Sequence, residues 1–242
     1  MFSSSEPTTP SRPRERDTRQ ERQQRFRDET RRAILDAALE LFAVDGYSSV
    51  SLRSIAAKVQ YSPAAIYSYF PSKDDIFFAL AEEGFLLLAQ CGGAACAGLS
   101  DPFDRLRSGL WAFYLFSKTH PEYFDLMFVD RSVPSLNQDF QRFEFFQETT
   151  ALFEADVHAC IERGQFSKRL NPAAALHVLW VGMLGASTIG LSHRLAPGED
   201  PDALAHDLLE TMLAGFTTAV GTTFVASDCP FHAAGDHSKV LP

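Results

Sequence analysis

The chain is poor in cysteine, with four residues in 242, and its first 33 residues hold no apolar run to serve as a signal-peptide core. So few thiols exclude a disulfide-stapled scaffold and fit a reducing compartment, so a cytoplasmic location is expected. No alternating apolar and polar stretch marks a β-strand, and no internal repeat appears. Charged residues make up only 22% of the chain. No nucleophile-elbow, phosphate-loop or zinc-hydrolase spacing occurs, so the expectation is no enzyme, no cofactor and no metal. Cys91 and Cys96 lie five apart without a flanking histidine, and Cys160 is isolated; all three read as small buried hydrophobes. Cys229, His232, Asp236 and His237 have metal-binding side chains, but they fall in a Gly-containing stretch that reads as a tail.

What is present is apolar bulk: 45% hydrophobic residues, 12% aromatic, 21 of them Phe. That excludes a wholly disordered chain. A chain of this size buries about three quarters of its unfolded surface and forms one or two domains. The net charge of −9 is unevenly spread. Residues 1–75 carry 12 Lys and Arg against 11 Asp and Glu, residues 76–242 carry 10 against 20, and nine Arg fall within residues 1–32. A neutral-to-basic head on an acidic body fits two tasks, one of them facing phosphates.

Helix-start signals recur. A capping residue followed by Pro occurs at Ser62-Pro63, Asp101-Pro102, Asn171-Pro172 and Asp200-Pro201, with a weaker case at His120-Pro121. Gly46, Gly92-Gly93, Gly164, Pro197-Gly198 and Gly221 follow apolar helical patterns and read as stops. The fold class is therefore all-α, with about nine helices. The first predicted helix runs from Asp28 to Asp45, with Ile34, Ala38, Leu41 and Phe42 on one stripe. Ser51 caps a short second helix carrying Leu52, Ile55, Ala56 and Val59. After a break at Gln60-Tyr61, Ser62 caps a third helix that Pro71 ends near Phe70. Ser72 and Asp75 then open a fourth. Two short helices on a tight turn, propped on a longer first one, form a helix-turn-helix. On spacing alone, a bundle corner without a nucleic-acid partner fits equally well.

The residues separate the two. The segment from Arg31 to Leu80, with "ILDAALELF" followed by "GY", "SLRSIA" and "SPAAIYSYFPSK", resembles the N-terminal domain of the TetR family of bacterial transcriptional regulators. This is about a fifth of the chain. Many members have Gly where Ala64 stands, and Gly-Val-Ser where this chain has Gln60-Tyr61-Ser62, which leaves the base preference open. The resemblance implies that the third helix enters a major groove with its N-terminal residues at the base edges. Pro63, Ala64 and Ala65 lack bidentate donors, so they favour apolar contacts such as thymine methyls, with hydrogen bonds from Tyr61, Ser62 and Ser68. Tyr67, Tyr69 and Lys73 match family positions that contact phosphates, and Ser51 and Arg53 can join them at the second helix start. Packing beneath the helix is the other role open to Tyr67 and Tyr69, while Ile66 and Phe70 are assigned to the core. The Arg-rich arm is either a solvated tail or an extension along the DNA.

For the body the resemblance implies effector binding and dimerisation, and composition agrees. Aromatic residues on successive predicted helices exceed what simple packing needs, so Phe85, Trp111, Tyr114, Phe124, Met127, Phe128, Phe146, Phe153, His177 and Trp180 are candidates for a small, mainly apolar or aromatic effector. His158 is a further candidate for a polar contact. The stretch from Asn171 to His193 has no Asp, Glu, Lys or Arg. Its length nominates a membrane span, but its histidines, hydroxyls and glycines after a DNA-binding head favour a buried helix, and no membrane association is expected. With the helix that follows it would form a four-helix dimer interface, using Gly182, Ala186, Ile189, Gly190, Leu208, Met212 and Phe216. The expected organisation is a disordered arm at 1–27, a DNA-binding domain at 28–75 with its helix-turn-helix at about 52–71, an effector and dimerisation domain at 76–226, and a flexible tail at 227–242. The expected function is a homodimeric regulator, a repressor released from an inverted-repeat operator in double-stranded DNA by its effector. The competing reading is a helical small-molecule-binding or interaction protein that no longer binds DNA.

Overall fold

The structure, a computed structural model, describes residues 18–133, 144–192 and 194–218, with side chains left out at 144–147. Expectations for residues 1–17, for Gly221, for the side chain of Phe146 and for the tail with Cys229 fall outside the described residues.

Nine α-helices and no strand appear among the described residues. They are α1 (Arg19–Asp45), α2 (Leu52–Lys58), α3 (Pro63–Tyr67), α4 (Lys73–Cys96), α5 (Pro102–Thr119), α6 (Pro121–Phe124), α7 (Glu144–Glu162), α8 (Pro172–Leu191) and α9 (Pro201–Thr218). A 3-10 turn at Tyr47–Ser49 follows α1, and α6 continues into a π-helical turn at Asp125–Val129. The starts follow the caps: the side chains of Ser51, Ser62, Ser72, Asp101 and Asn171 each accept a backbone N–H of the first turn.

Two boundaries differ from the sequence reading. α1 begins nine residues before Asp28, so residues 19–27 of the expected disordered arm are helical. Thr18 and Glu21 form a reciprocal capping box there, and the Arg, Gln and Glu that follow are strong helix formers needing no core. Gly92 and Gly93 do not end α4, which runs on to Cys96 before Gly98 turns the chain at φ 78°. The expected domain boundary at residue 75 falls in the first turn of α4, and this helix serves both ends. Its Phe77 ring lies 5.6 Å from Tyr47 at the head, while Phe85 lies 6.0 Å from Phe128 in the body.

One continuous apolar core runs from Ile34 to Phe216. α4 and α8 are both long and apolar enough to cross a membrane. In the structure α4 packs on α5, and α8 packs between α5 and α9.

Candidate nucleic-acid interface and the aromatic centre of the body

The head is set by what α3 buries. Ile66 is fully buried and Phe70 nearly so, which fixes the rotation of this five-residue helix against α1 and α2. The opposite side is open. Tyr61, Ser62, Pro63, Ala64, Tyr67 and Ser68 are exposed, and Ala65 is half-buried. The Ser62 hydroxyl is occupied in capping and accepts Ala65 N–H at 3.2 Å; Ser68 Oγ donates to Ala65 O at 2.7 Å. Each can still present its remaining lone pairs. Ser51 and Arg53 stand exposed at the start of α2, with Ser51 Oγ accepting Ser54 N–H at 3.1 Å. Ser51, Arg53, Tyr61 to Ala64, Tyr67 and Ser68 are thus all open to solvent on α2, α3 and the turn between them. The turn between α2 and α3 is made by Gln60 in the left-handed region at φ 60°, a conformation that favours Gly.

Two expected phosphate contacts are engaged internally. Tyr69 is half-buried, with the Arg27 guanidinium 5.8 Å from its ring centre. Lys73 Nζ donates to the Tyr47 carbonyl at 2.7 Å and lies 4.0 Å from the Tyr47 ring centre. Lys73 keeps two further N–H donors, but its position is tied to that of Tyr47.

Tyr47 is the hub of a latch that sequence reading missed. Its hydroxyl donates to Asp74 at the start of α4. Its own N–H donates to Asp130 Oδ2 at 2.9 Å, and Ser48 N–H donates to Ser132 Oγ at 3.1 Å. Asp130 in turn accepts the Ser132 N–H and hydroxyl at 2.7 and 2.6 Å. Burial pushes the Asp130 carboxyl up, but the hydrogen bonds from Ser132 and Tyr47, with Lys73 nearby, outweigh it and hold it below the usual carboxylate range. The Tyr47 phenol is driven upward by burial and by its bond to Asp74. These contacts fasten the end of the α6 π-turn, part of the body, to the link between α1 and α2 in the head.

The same π-turn enters the aromatic centre of the body. Phe113 on α5 lies 5.5 Å from Phe124, 5.5 Å from Phe128 and 4.8 Å from Trp180. Phe128 also meets Phe124, Trp180 and Phe85 at 5.2, 5.7 and 6.0 Å. Met127 packs against Gly84 of α4 so closely that a methyl group there would collide with its sulfur. Of the expected effector residues, Phe85, Phe124, Met127, Phe128 and Trp180 therefore converge, and Phe113 joins them at the centre.

The others do not. Trp111 and Tyr114 stack 5.0 Å apart on the α9 side of α5, where Trp111 meets His206 at 5.9 Å and Tyr114 Oη donates to Asp202 at 2.7 Å. Phe153 closes over Gly109. His177 and His158 are exposed, because His177 shares the outward face of α8 with Val178 and Val181. An open cleft of about 410 Å³ lies elsewhere, between α1 and α4, and the Arg32–Glu83 ion pair spans it at 2.6 Å. Among the described residues no group of three His, Cys, Asp or Glu could hold a metal ion.

Residues 34–80 match the family model of bacterial regulatory proteins of the tetR family, and residues 106–212 match the tetracyclin repressor-like C-terminal domain. The chain is 30% identical over 183 residues to the transcriptional repressor Rv1474c of Mycobacterium tuberculosis, an alignment covering 74% of this chain and 90% of that protein. It belongs to the TetR family. The regulator HbdR of Aromatoleum sp. strain CIB is 29% identical over 60% of this chain, which spans 62% of HbdR. A solved FadR of Bacillus subtilis shares the fold with TM-score 0.64 at 19% identity, over 76% of this chain and 97% of that one.

In this TetR-family regulator the helix-turn-helix is the DNA-binding element, and α5 to α9 hold the residues that match the C-terminal domain. Among the described residues an apolar face of α8 is left exposed. On α8, Val178, Val181 and Ile189 are exposed at 48%, 64% and 39%, and Leu204 on α9 at 43%. The residues expected at a dimer interface divide around this face. Gly182 lies under Met212, Leu208 packs beside them, Ala186 and Phe216 are buried, and Gly190 meets Pro201, all within one chain. Ile189 alone of the seven is exposed. The small residues let α8 and α9 approach each other, and the β-branched ones face outward.

Proposed function

We propose that this chain is a homodimeric transcriptional repressor, seated on an inverted-repeat operator and released by a small, mainly apolar or aromatic effector. The observation that carries the reading is the open end of the head. Small and hydroxyl-bearing residues of α3 project there from a helix whose other side is locked by Ile66 and Phe70. Ser62, Tyr61 and Ser68 supply hydrogen bonds, Pro63, Ala64 and Ala65 offer apolar contact to thymine methyls, and Ser51, Arg53, Tyr67, Tyr69 and Lys73 meet the backbone. Two-fold symmetry through the apolar face of α8 and α9 sets two α3 helices in successive major grooves, roughly 34 Å apart. The protein acts in the cytoplasm, by binding rather than catalysis and without a membrane.

The effector enters the aromatic centre by parting rings that now touch, with Phe128 and Trp180, both half-buried, giving way first. Phe128 belongs to the π-turn, so its displacement reaches Met127, which packs against Gly84 of α4, and Asp130 at the latch. Both attachments bear on the helix that starts directly after α3. The FadR neighbour was solved in complex with stearoyl-CoA, which supports an apolar ligand here. Tyr114, Trp111 and Phe153 line a second, closed contact with α7 and α9 and are assigned to packing.

The test is selection of duplexes from a random-sequence pool by the purified chain, followed by fluorescence anisotropy across a salt series. The reading requires an inverted repeat, two chains per duplex and a steep salt dependence. Equal, weak binding to selected and scrambled DNA would refute it.

A further inference from the structure

The stripe of α1 that enters the core does not stop where the core stops. Thr30, Ile34, Ala37, Ala38 and Leu41 recur at helical spacing and are buried or half-buried. Traced toward the N-terminus at the same spacing, the stripe continues as Arg27, Phe26, Gln23 and Arg19. Residues 18–29 are all exposed, Phe26 at 59%. A capping box holds this extension helical although it buries nothing. At 1.5 Å per residue, Arg19 stands about 12 Å beyond Arg27.

The stripe is basic and sits beside α3. Residues 19–31 contain five Arg against three acids, and the acids lie off the stripe. Glu21 is used in the cap, Asp28 accepts from Gln24 at 2.9 Å, and Glu29 stands about 100° round the helix from Thr30, beside the edge of the stripe. Arg27 lies 5.8 Å from the centre of Tyr69 and Arg31 5.1 Å from Phe70, at the end of the recognition helix. These stacked contacts fix where the extension leaves the head. It departs from the flank that carries Tyr69, next to the strand that the tyrosine would meet.

We propose that the first two turns of α1 form a second DNA-contacting element, which follows the phosphate backbone outside the major-groove half-site through Arg19 and Arg27. The proposal rests on the operator-binding reading above. A duplex is the occupant because the face pairs guanidinium groups and glutamine amides with one exposed aromatic ring and carries no carboxylate. Phosphate contacts take the first of these, and the adjoining minor groove admits the ring. An extension of about 12 Å spans roughly three to four base pairs at 3.4 Å each, so the contacted site is longer on both sides than two α3 helices require.

The experiment uses the full chain and the duplex it selects from a random pool, once with about one helical turn (roughly 10 base pairs) of flanking DNA on each side and once trimmed at the half-site edges. The logarithm of affinity is followed against the logarithm of salt. The wild-type slope should be steeper on the flanked duplex. Substituting Arg19→Gln with Arg27→Gln removes two charges per chain and should erase that difference, making the flanked slope shallower by roughly 3 to 4. Arg19→Lys with Arg27→Lys should restore most of it. Both side chains are exposed, so losing the Arg27 contact with Tyr69 should lower the thermal midpoint of the Gln variant only slightly and leave its helix content unchanged. Equal wild-type slopes on the two duplexes, or a Gln variant that keeps the difference, would overturn the proposal while leaving operator binding intact. A wild-type chain that prefers no sequence removes the operator-binding reading first, and this proposal with it.

Discussion

Replacing Asp130 with Ala tests the link between body and head in one measurable group. The Asp130 carboxylate accepts the Tyr47 N–H at 2.9 Å, and Tyr47 is only 5% exposed. Without an acceptor this amide is left nearly unsolvated, a loss of about 1–3 kcal/mol for a buried donor. The site is only partly buried and water can reach Asp130, so the lower half of that range applies, about 1–1.5 kcal/mol. The Ser132 contacts disappear as well, which frees Ser48 N–H from its second anchor. Because 1.4 kcal/mol is a factor of ten in an equilibrium, the Tyr47 amide should exchange its hydrogen about tenfold faster in Asp130→Ala than in wild type. Amides in the middle of α5 should be unchanged. The sign of the pH effect follows from the depressed carboxyl. Protection of Tyr47 is complete above the ordinary carboxylate value near 4 and is lost as pH falls below it. In the regulatory account the variant also responds less to effector on DNA, since one of two attachments is gone. A Tyr47 amide that exchanges at the wild-type rate would refute the latch.

Three further outcomes follow. Val181→Glu places a carboxylate on the exposed face of α8 and should convert the dimer to a monomer with unchanged helix content, read by sedimentation; a dimer of wild-type stability would remove that face from the interface. Gln60→Gly relieves the left-handed backbone of the α2–α3 turn at φ 60° and should raise stability by about 0.5–1 kcal/mol in denaturant unfolding, whereas no gain would mean that the surrounding turn already absorbs the strain. Burial, with Asp101 and Asp156 adding to it, pushes the Cys160 thiol up to about 12, so at pH 8 it should alkylate far more slowly than Cys91 and only on unfolding, a difference that peptide mass mapping reads directly.

Much of the fold was legible because its signals are local. Proline after a capping residue marked α3, α5, α6, α8 and α9, since Pro fits the first helical turn and nowhere deeper. The start of α1 was not, because the sequence reading looked for an apolar stripe, and the Arg19–Arg27 turns are held by capping and propensity alone. That Ile66 and Phe70 turn into the core while Tyr61 to Ala64, Tyr67 and Ser68 stay exposed was readable from helical spacing. The engagement of Lys73 with Tyr47 was not, nor was the latch to Asp130, 83 residues along the chain from Tyr47, since such a pair leaves no periodic trace. The aromatic centre was half-read. α5 is apolar on two sides, so Phe113 faces the π-turn while Trp111 and Tyr114 face α9, and composition cannot tell these sides apart. α8 has the same ambiguity: an all-apolar helix reads as buried, yet it packs on α5 and α9 while Val178, Val181 and Ile189 stay exposed among the described residues.

The claim on which the account depends is that the open face of α3 reads DNA, and Ala64→Glu addresses it directly. Ala64 is exposed on the first turn of α3. A carboxylate there meets base edges and phosphates in the groove but only water in the free protein. Measured by anisotropy on the selected duplex, the variant should lose at least about tenfold in affinity per head, the scale of one bad base-edge contact at 1–3 kcal/mol. Its thermal unfolding and its dimerisation should match wild type. An Ala64→Glu chain that binds the selected duplex as tightly as wild type would contradict the account, and the recognition surface would have to lie elsewhere on the molecule.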